Sequence, residues 1–175
     1  MAITRLGGAN AITGTLPAAN INDTSIGNIT ALPAGVGGKV LQVVNATDTT
    51  ERTTTSSSFT AAGTTLSVDI TPSSTSSKIF IVVTSTTHAN SALQARYFTI
   101  YRDSTNLGQV NNGMTALYIE ANPGDPVTPL VMSYLDSPSS TSQITYQIRL
   151  KTTGGTGYLN WNSTRGSITA YEIAG

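Results

Sequence analysis

The sequence has 175 residues and no net charge, since nine Lys and Arg residues balance nine Asp and Glu residues. It has no cluster of cations of the kind that binds nucleic acid. It has no cysteine, so a disulfide framework or a thiolate metal site is excluded. It also has no run of about 20 apolar residues of the kind that forms a transmembrane helix. Charged residues make up 10% of the chain, while 30 Thr and 19 Ser supply most of its polarity. Thr favours β-strands, so the composition predicts an all-β protein.

Residues 1–37 differ from the rest of the chain because Gly, Asn and Pro interrupt them every few residues. Their apolar residues are isolated and fit neither a helical nor a strand period. We predict that this segment is an extended anchoring arm, whose apolar side chains dock on another protein. The predicted anchoring residues are Ile3, Leu6, Ile12, Leu16, Ile21, Ile26, Ile29 and Leu32. The segment also lacks the apolar core of a signal peptide, so we expect synthesis in a cytoplasm without export by that route.

A β domain is predicted over residues 38–175. Lys39–Asn45 is a first strand, and the alternating residues Leu66, Val68 and Ile70 indicate another. The run Lys78–Thr84 is the most apolar in the chain. Five consecutive apolar residues on a strand project to both faces of a sheet, so both faces require a cover. We expect these five to lie in the core or at a trimer interface: Ile79, Phe80, Ile81, Val82 and Val83.

The second half of the chain continues the strand pattern. Strands are predicted at Arg96–Arg102, Leu107–Val110, Ala116–Glu120, Tyr158–Trp161 and Ser167–Ile173. Val127–Lys151 is predicted to form a hairpin of two strands joined by the polar turn Asp136–Ser140, and its second strand has four apolar residues at strict period two. Nine or ten strands with no long helix predict a jelly-roll or Greek-key β-sandwich.

Four blocks of the sequence carry a resemblance. GGKVLQVV, SVDITPSSTSSKIFIVV, VMSYLDSPSSTSQITYQIRL and GSITAYEIAG, in this order and spacing, resemble a jelly-roll module of tailed-bacteriophage structural proteins, notably those of phages of cyanobacteria and aquatic bacteria. The opening MAITRLGGANAITGTLPAANINDTSIGNITALP is similar to the attachment stretch of small phage fibre proteins. The resemblance implies a virion protein, commonly a homotrimer with a body of the C1q and tumour-necrosis-factor kind. Because such modules occur in tail fibres, head fibres and decoration proteins, it does not imply one role.

Residues for catalysis or metal binding are scarce. His88 is the one histidine, and its neighbours STTHANS include no nucleophile motif, so a solvated loop residue is the expected role. Glu51, Glu120 and Glu172 lie in separate segments and form no acid-pair motif. Asp125 in NPGDP could help to hold a calcium ion, but a proline-locked turn is the simpler interpretation. We therefore predict no enzyme activity, no catalytic residue, no metal site and no cofactor.

The segment YLNWN (Tyr158–Asn162) is the candidate ligand site of the sequence. Tyr158 and Trp161 offer apolar ring planes beside the amides of two Asn residues, a combination that suits the apolar face and polar edge of a sugar. The alternative is that Trp161 fills the core or a subunit boundary, as large aromatic residues usually do.

Two functions of different classes follow. In the first, a homotrimer decorates the phage capsid, binds the major capsid protein or another virion protein through its arm and stabilises the shell. In the second, it is a short tail or head fibre that binds a host-surface glycan. A fibre needs a shaft, and none lies between Leu32 and Lys39. This favours decoration, with the protein on the particle surface and no contact with nucleic acid or membrane.

Overall fold

The computed structural model describes residues 39–61, 63, 66–88, 93–120 and 126–175. The predicted arm with its eight anchoring residues, and Asp125, lie outside the described residues. The strands are β1 (Val40–Asp48), β2 (Arg52–Thr54), β3 (Thr60–Ala61), β4 (Ser67–Ile70), β5 (Lys78–His88), β6 (Ala95–Arg102), β7 (Thr105–Asn106), β8 (Thr115–Tyr118), β9 (Val127–Asp136), β10 (Ile144–Thr152), β11 (Gly157–Leu159) and β12 (Gly166–Ile173). A 3-10 turn at Trp161–Ser163 is the one helical element of the described part.

Two antiparallel sheets carry the long strands. The first sheet has the order β1-β12-β5-β9. The second is centred on the pair β10-β6; β3 and β4 pair with β10, and β7 and β8 pair with β6. Along the chain the long strands therefore change sheet at nearly every connection, with β6 to β8 as the exception. This is the topology of a jelly roll, and it confirms the predicted all-β sandwich.

The core lies between the sheets and is built by period-two alternation. β10 and β12 alternate strictly between buried and partly buried residues, as their sequences predict. The buried apolar cluster draws on both sheets and comprises Leu66, Val68, Ile70, Ile79, Ile81, Val83, Phe98, Ile100, Leu130, Met132, Ile144, Tyr146, Ile148, Leu150, Leu159, Ile168 and Ala170. Removal of this apolar surface from water is the main favourable contribution to folding.

The predicted hairpin in Val127–Lys151 is wrong. Both strands form, but β9 pairs with β5 in the first sheet, whereas β10 pairs with β4 and β6 in the second. The polar turn therefore crosses between sheets. The physical reason is that both strands have a buried face, and placing them in opposite sheets turns these two faces towards each other.

Two shorter predictions also need correction. Leu107–Val110 is not a strand: the chain forms β7 just before it, followed by a tip closed by the single bridge between Gln109 and Gly113. Val110 lies at that tip and is 81% exposed. The predicted strand Tyr158–Trp161 ends at Leu159, because the backbone of Asn160 is left-handed with φ of 55°.

Ionisable groups connect the two sheets at one end of the core. Arg102 on β6 donates two hydrogen bonds of 2.9 Å to the carboxylate of Asp136 on β9. The hydroxyl of Tyr146 on β10 donates to the same carboxylate at 2.7 Å. Burial and the hydrogen bond to Asp136 raise the pKa of Tyr146 well above its ordinary value. Asp136 is thus buried with partners from both strands of the second sheet's central pair.

The carboxylate of Glu172 on β12 makes a second set of buried hydrogen bonds at the same end of the core. It accepts hydrogen bonds from the backbone N–H and hydroxyl of Ser73, each 2.6 Å, and from the Gln42 amide at 2.9 Å. Burial alone would raise the pKa of Glu172, but these hydrogen bonds outweigh burial and lower the pKa to about 2. The ionised carboxylate therefore fastens β12 to β1 and to the turn before β5.

This pKa predicts acid sensitivity. A carboxyl group with a lowered folded-state pKa stabilises the protein above its ordinary pKa of 4.5, and this contribution is lost as the pH falls towards about 2. We expect Glu172→Gln to lower the free energy of unfolding at neutral pH by about 1–3 kcal/mol and to reduce the decline on acidification. Urea denaturation across this pH range measures both effects.

The matched control is Glu120→Gln, since Glu120 is exposed. It should leave the stability profile close to that of the wild type. If the Glu172→Gln protein loses stability on acidification as steeply as the wild type, then another group carries the acid sensitivity.

Candidate functional site

Two surfaces of the described domain differ from an ordinary polar exterior. The first is the side of the first sheet that points away from the second sheet, called here the outer face. Strand pairing places one residue from each strand in a row: Val43 on β1, Tyr171 on β12, Phe80 on β5 and Leu135 on β9. Val43 is 54% exposed and Leu135 is 49% exposed, so this row presents apolar surface to its surroundings.

The outer face is also free of charge over three successive rows. Asn45, Thr169, Val82 and Ser133 form the second row, and Thr47, Ser167, Thr84 and Val131 form the third. Hydroxyl groups in the third row bond to each other, as in the pair Thr84 and Ser167 at 2.9 Å. Absence of charge together with a row of aromatic and apolar residues is a feature of the core of protein–protein interfaces.

The structure divides the five residues of the predicted apolar run between two environments. Ile79, Ile81 and Val83 are fully buried between the sheets. Phe80 and Val82 point to the outer face and are partly buried. The two-sided pattern of the sequence therefore corresponds to a strand with one face in the core and one face on the surface.

The second surface is a cluster of three rings. His88 at the end of β5 stacks on Trp161, with ring centroids 3.7 Å apart and an interplanar angle of 21°. Tyr158 on β11 meets both rings edge-on, at 4.8 Å from Trp161 and 5.0 Å from His88. The sequence prediction of Tyr158 and Trp161 as one site is consistent with this proximity; their contact with a glycan remains a prediction.

Buried Asn160 fixes the loop that carries the ring cluster. Its amide donates to the carbonyl oxygens of Asp48 and Thr50, both at 3.2 Å, and its side-chain oxygen accepts a hydrogen bond from the Ser85 hydroxyl at 2.8 Å. A Cβ on Gly166 would lie 2.1 Å from that same oxygen, so the loop also requires glycine at the start of β12. Trp161 is thus held against the ends of β1 and β5.

The environment predicted for His88 is wrong. It was expected to be a solvated loop residue, but it is 1% exposed and stacks within the cluster. The alternation of β5 continues through the polar residues STTH, where Ser85 and Thr87 are buried. The same alternation places His88 on the side of Phe80 and Val82, so its burial beside the rings of Trp161 and Tyr158 could not be predicted from the period of the strand.

No three His, Asp or Glu side chains among the described residues are grouped as a metal site requires. The Glu51 carboxylate accepts a hydrogen bond from the backbone N–H of Asn162 at 2.8 Å. The Glu172 carboxylate is engaged by Ser73 and Gln42. Within the same residues, no helix has the length and apolarity to cross a membrane.

Comparison with known proteins gives likeness in structure alone. No protein-family model matches the sequence, and no curated protein is similar to it in sequence. Similar solved structures include the VP2 protein of infectious bursal disease virus in derived T=1 particles, with 11% identity, a TM-score of 0.39 and coverage of 76% of this chain and 36% of that one.

The VP2 subviral particle of the same virus matches with 14% identity, a TM-score of 0.37 and coverage of 76% and 37%. The structure of its Gx strain matches with 12% identity, a TM-score of 0.40 and coverage of 77% and 37%. The chain spans little more than a third of the length of these proteins.

The anchoring of the ring cluster generates a stability prediction. Asn160→Ala removes the buried side-chain hydrogen bonds, each worth about 0.5–1.5 kcal/mol, and leaves alanine in a left-handed conformation that costs about 1–2 kcal/mol. We expect a loss of about 2 kcal/mol or more in the free energy of unfolding, together with a red shift of Trp161 fluorescence. Denaturant titration followed by fluorescence measures both quantities.

Asn162→Ala is the matched control. Asn162 has a similar φ of 53° but an exposed side chain, so this variant isolates the backbone cost. Equal losses in the two variants would show that the hydrogen bonds of Asn160 contribute nothing to the loop.

Proposed function

We propose that this protein is a structural component of a tailed-phage virion, a homotrimer that decorates the capsid surface and stabilises the shell by binding rather than by catalysis. The observation that carries the proposal is the charge-free outer face of the first sheet, with its row of apolar and aromatic residues. The resemblance of the four sequence blocks to phage virion modules supplies the biological setting. The partners are two further copies of the chain and the major capsid protein or another virion protein.

The outer face fits self-association. β5 lies between β12 and β9, so its outward residues are at the middle of the sheet, where a facing subunit would exclude water most completely. In a symmetric assembly, equivalent patches meet around an axis. A patch without charge meets its own copy without repulsion between like charges. The number three comes from the resemblance, since closure around a three-fold axis is the common arrangement of that module.

In this proposal the arm attaches the protein to the particle, and the β domain forms the trimer. Residues 1–37 carry the spaced apolar side chains that we assign to attachment, while residues 38–175 fold and trimerise. A trimer brings three arms to the particle. Once one arm is bound, the other two are held at a high effective concentration, so weak individual contacts combine into tight attachment. A component that binds the assembled shell and not its separated subunits stabilises the shell by mass action.

A short fibre is the second candidate function. The ring cluster favours it, because Trp161 is partly exposed in a loop held by buried hydrogen bonds. A host-surface glycan bound at Tyr158 and Trp161 would make the protein a receptor-binding component instead of a stabiliser. The two candidates place the decisive contacts at different residues, so variants distinguish them.

The oligomer is tested first. Sedimentation of the purified protein should give about three times the chain mass of 18.2 kDa. Phe80→Glu and Val43→Glu should each yield folded monomers, because three glutamates around the axis would be brought together in an apolar contact. Circular dichroism checks that the fold is retained.

The matched control is Val110→Glu, the same substitution at a residue that is 81% exposed at a loop tip. It should leave the trimer intact. A wild-type protein that sediments as a monomer, or trimers that persist in both outer-face variants, would contradict this assignment of the interface.

Attachment and function are tested on particles. Deletion of residues 1–34 should leave a folded trimer that no longer binds the shell. Particles that lack the protein should release their genome at lower temperature than complete particles, yet adsorb to host cells normally. Thermal release of the genome and an adsorption assay measure these outcomes.

Two results would overturn this proposal. Normal occupancy of particles by the truncated protein would place attachment in the jelly-roll domain. Unchanged thermal release combined with lost adsorption would establish the fibre function in place of decoration.

A further inference from the structure

We propose that the ring cluster of His88, Tyr158 and Trp161 is a binding site for an uncharged pyranose, with the free face of the Trp161 indole as its platform and Glu51 as the group that excludes acidic sugars. This inference rests on the second candidate function and gives it a ligand class. It does not depend on the trimer or on the arm.

The free face of Trp161 follows from the packing of the rings. His88 covers one face of the indole with near-parallel rings, and His88 itself is 1% exposed. The Tyr158 ring centroid is 4.8 Å from that of Trp161 and 5.0 Å from that of His88, so Tyr158 lies beside the two stacked rings and not on the far face of the indole. Trp161 nevertheless remains partly exposed. None of the rings of the cluster covers the side of the indole opposite His88, and we assign to that side the flat apolar plane that meets the C–H groups of a sugar ring.

The platform is rigid before any ligand arrives. Asn160, Asn162 and Ser163 have left-handed backbones with φ of 55°, 53° and 58°, a conformation that non-glycine residues rarely adopt. The hydrogen bonds of Asn160 to Asp48 at the end of β1, to Thr50 and to Ser85 hold this geometry. A preorganised site loses less conformational entropy on binding, which matters for a small ligand with few contacts.

Polar groups beside the platform suit hydroxyl groups. The Glu51 carboxylate bonds to the backbone N–H of Asn162, the residue after Trp161, and can accept hydrogen bonds from sugar hydroxyls. The Asn162 side chain is exposed in the same turn. Thr86 and Thr164 pair through their hydroxyls at the neighbouring end of β5. A few polar groups around an apolar surface are typical of small-molecule sites.

Glu51 also determines the charge of the ligand. Arg52 is held by the Asp48 carboxylate at 3.0 Å, so the adjacent cation is already engaged in an ion pair. A uronic or sialic acid at Trp161 would bring its carboxylate close to that of Glu51, and like charges at short range repel. The site therefore selects neutral sugars over acidic ones.

The single tryptophan of the chain makes Trp161 fluorescence a direct reporter of this site. The full-length protein is titrated with methyl glucoside, methyl galactoside and methyl mannoside, and with glucuronic acid at neutral pH. We expect a saturable change with at least one neutral glycoside in the millimolar range. Glucuronic acid should bind about tenfold more weakly, the factor expected from one like-charge contact near the surface.

Variants identify the residues responsible, with saturation-transfer NMR as a readout that does not need tryptophan. Trp161→Ala should abolish binding, and Trp161→Phe should retain part of it. Glu51→Gln should bring the affinity for glucuronic acid close to that for glucoside. Tyr118→Ala, at a tyrosine that is 53% exposed on β8, is the matched control and should bind normally.

Absence of saturable binding by every neutral glycoside would overturn the inference, as would equal binding by the Trp161→Ala protein. Preference for glucuronic acid that survives in Glu51→Gln would refute the role of Glu51. None of these results affects the proposed decoration function, because sedimentation and thermal release of the genome are measured separately on the same variants.

Discussion

The central strand β5 has apolar residues on both of its faces, and the arrangement of the two sheets depends on that constraint. Its inward residues Ile79, Ile81 and Val83 are fully buried, so a second sheet must lie on that side. A jelly roll supplies one such cover, because its two sheets enclose a single core. The outward residues Phe80 and Val82 face away from the second sheet, so that sheet cannot cover them. Self-association is the solution we propose for them.

The two buried carboxylates of the first sheet, Glu172 and Asp136, each have a structural role. Strand pairing places Glu172, Ile79 and Asp136 in one row of the first sheet, on its inner side. Two carboxylates thus flank an apolar residue at one end of the core. Each is surrounded by donors, Ser73 and Gln42 for Glu172, and Arg102 and Tyr146 for Asp136. Burial of an ion is tolerable only with such partners, and here those partners come from different strands and from the turn before β5.

The sequence predicts what local alternation determines and misses what depends on distant pairing. The period-two residues of β10 and β12 predict both strands correctly, because each strand has one buried face. The partner of β9 could not be predicted, since strand alternation is the same whether a neighbour lies in the same sheet or the opposite one. Tyr158 and Trp161 are near in sequence and were found together. His88 joins them only through the long pairing of β5 with β9 and β12.

The two surfaces lie at different positions along the same side of β5. The outer face reaches Thr84, and His88 lies four residues further on, about 13 Å along a strand at 3.3 Å per residue. The trimer that we propose, if joined near Phe80, would have its contact about 26 Å from His88. Binding of a single sugar to a shallow platform is weak, but three platforms on one rigid body can engage a repeating polysaccharide together. The same interface that covers the second face of β5 would thereby turn three weak sites into one effective site.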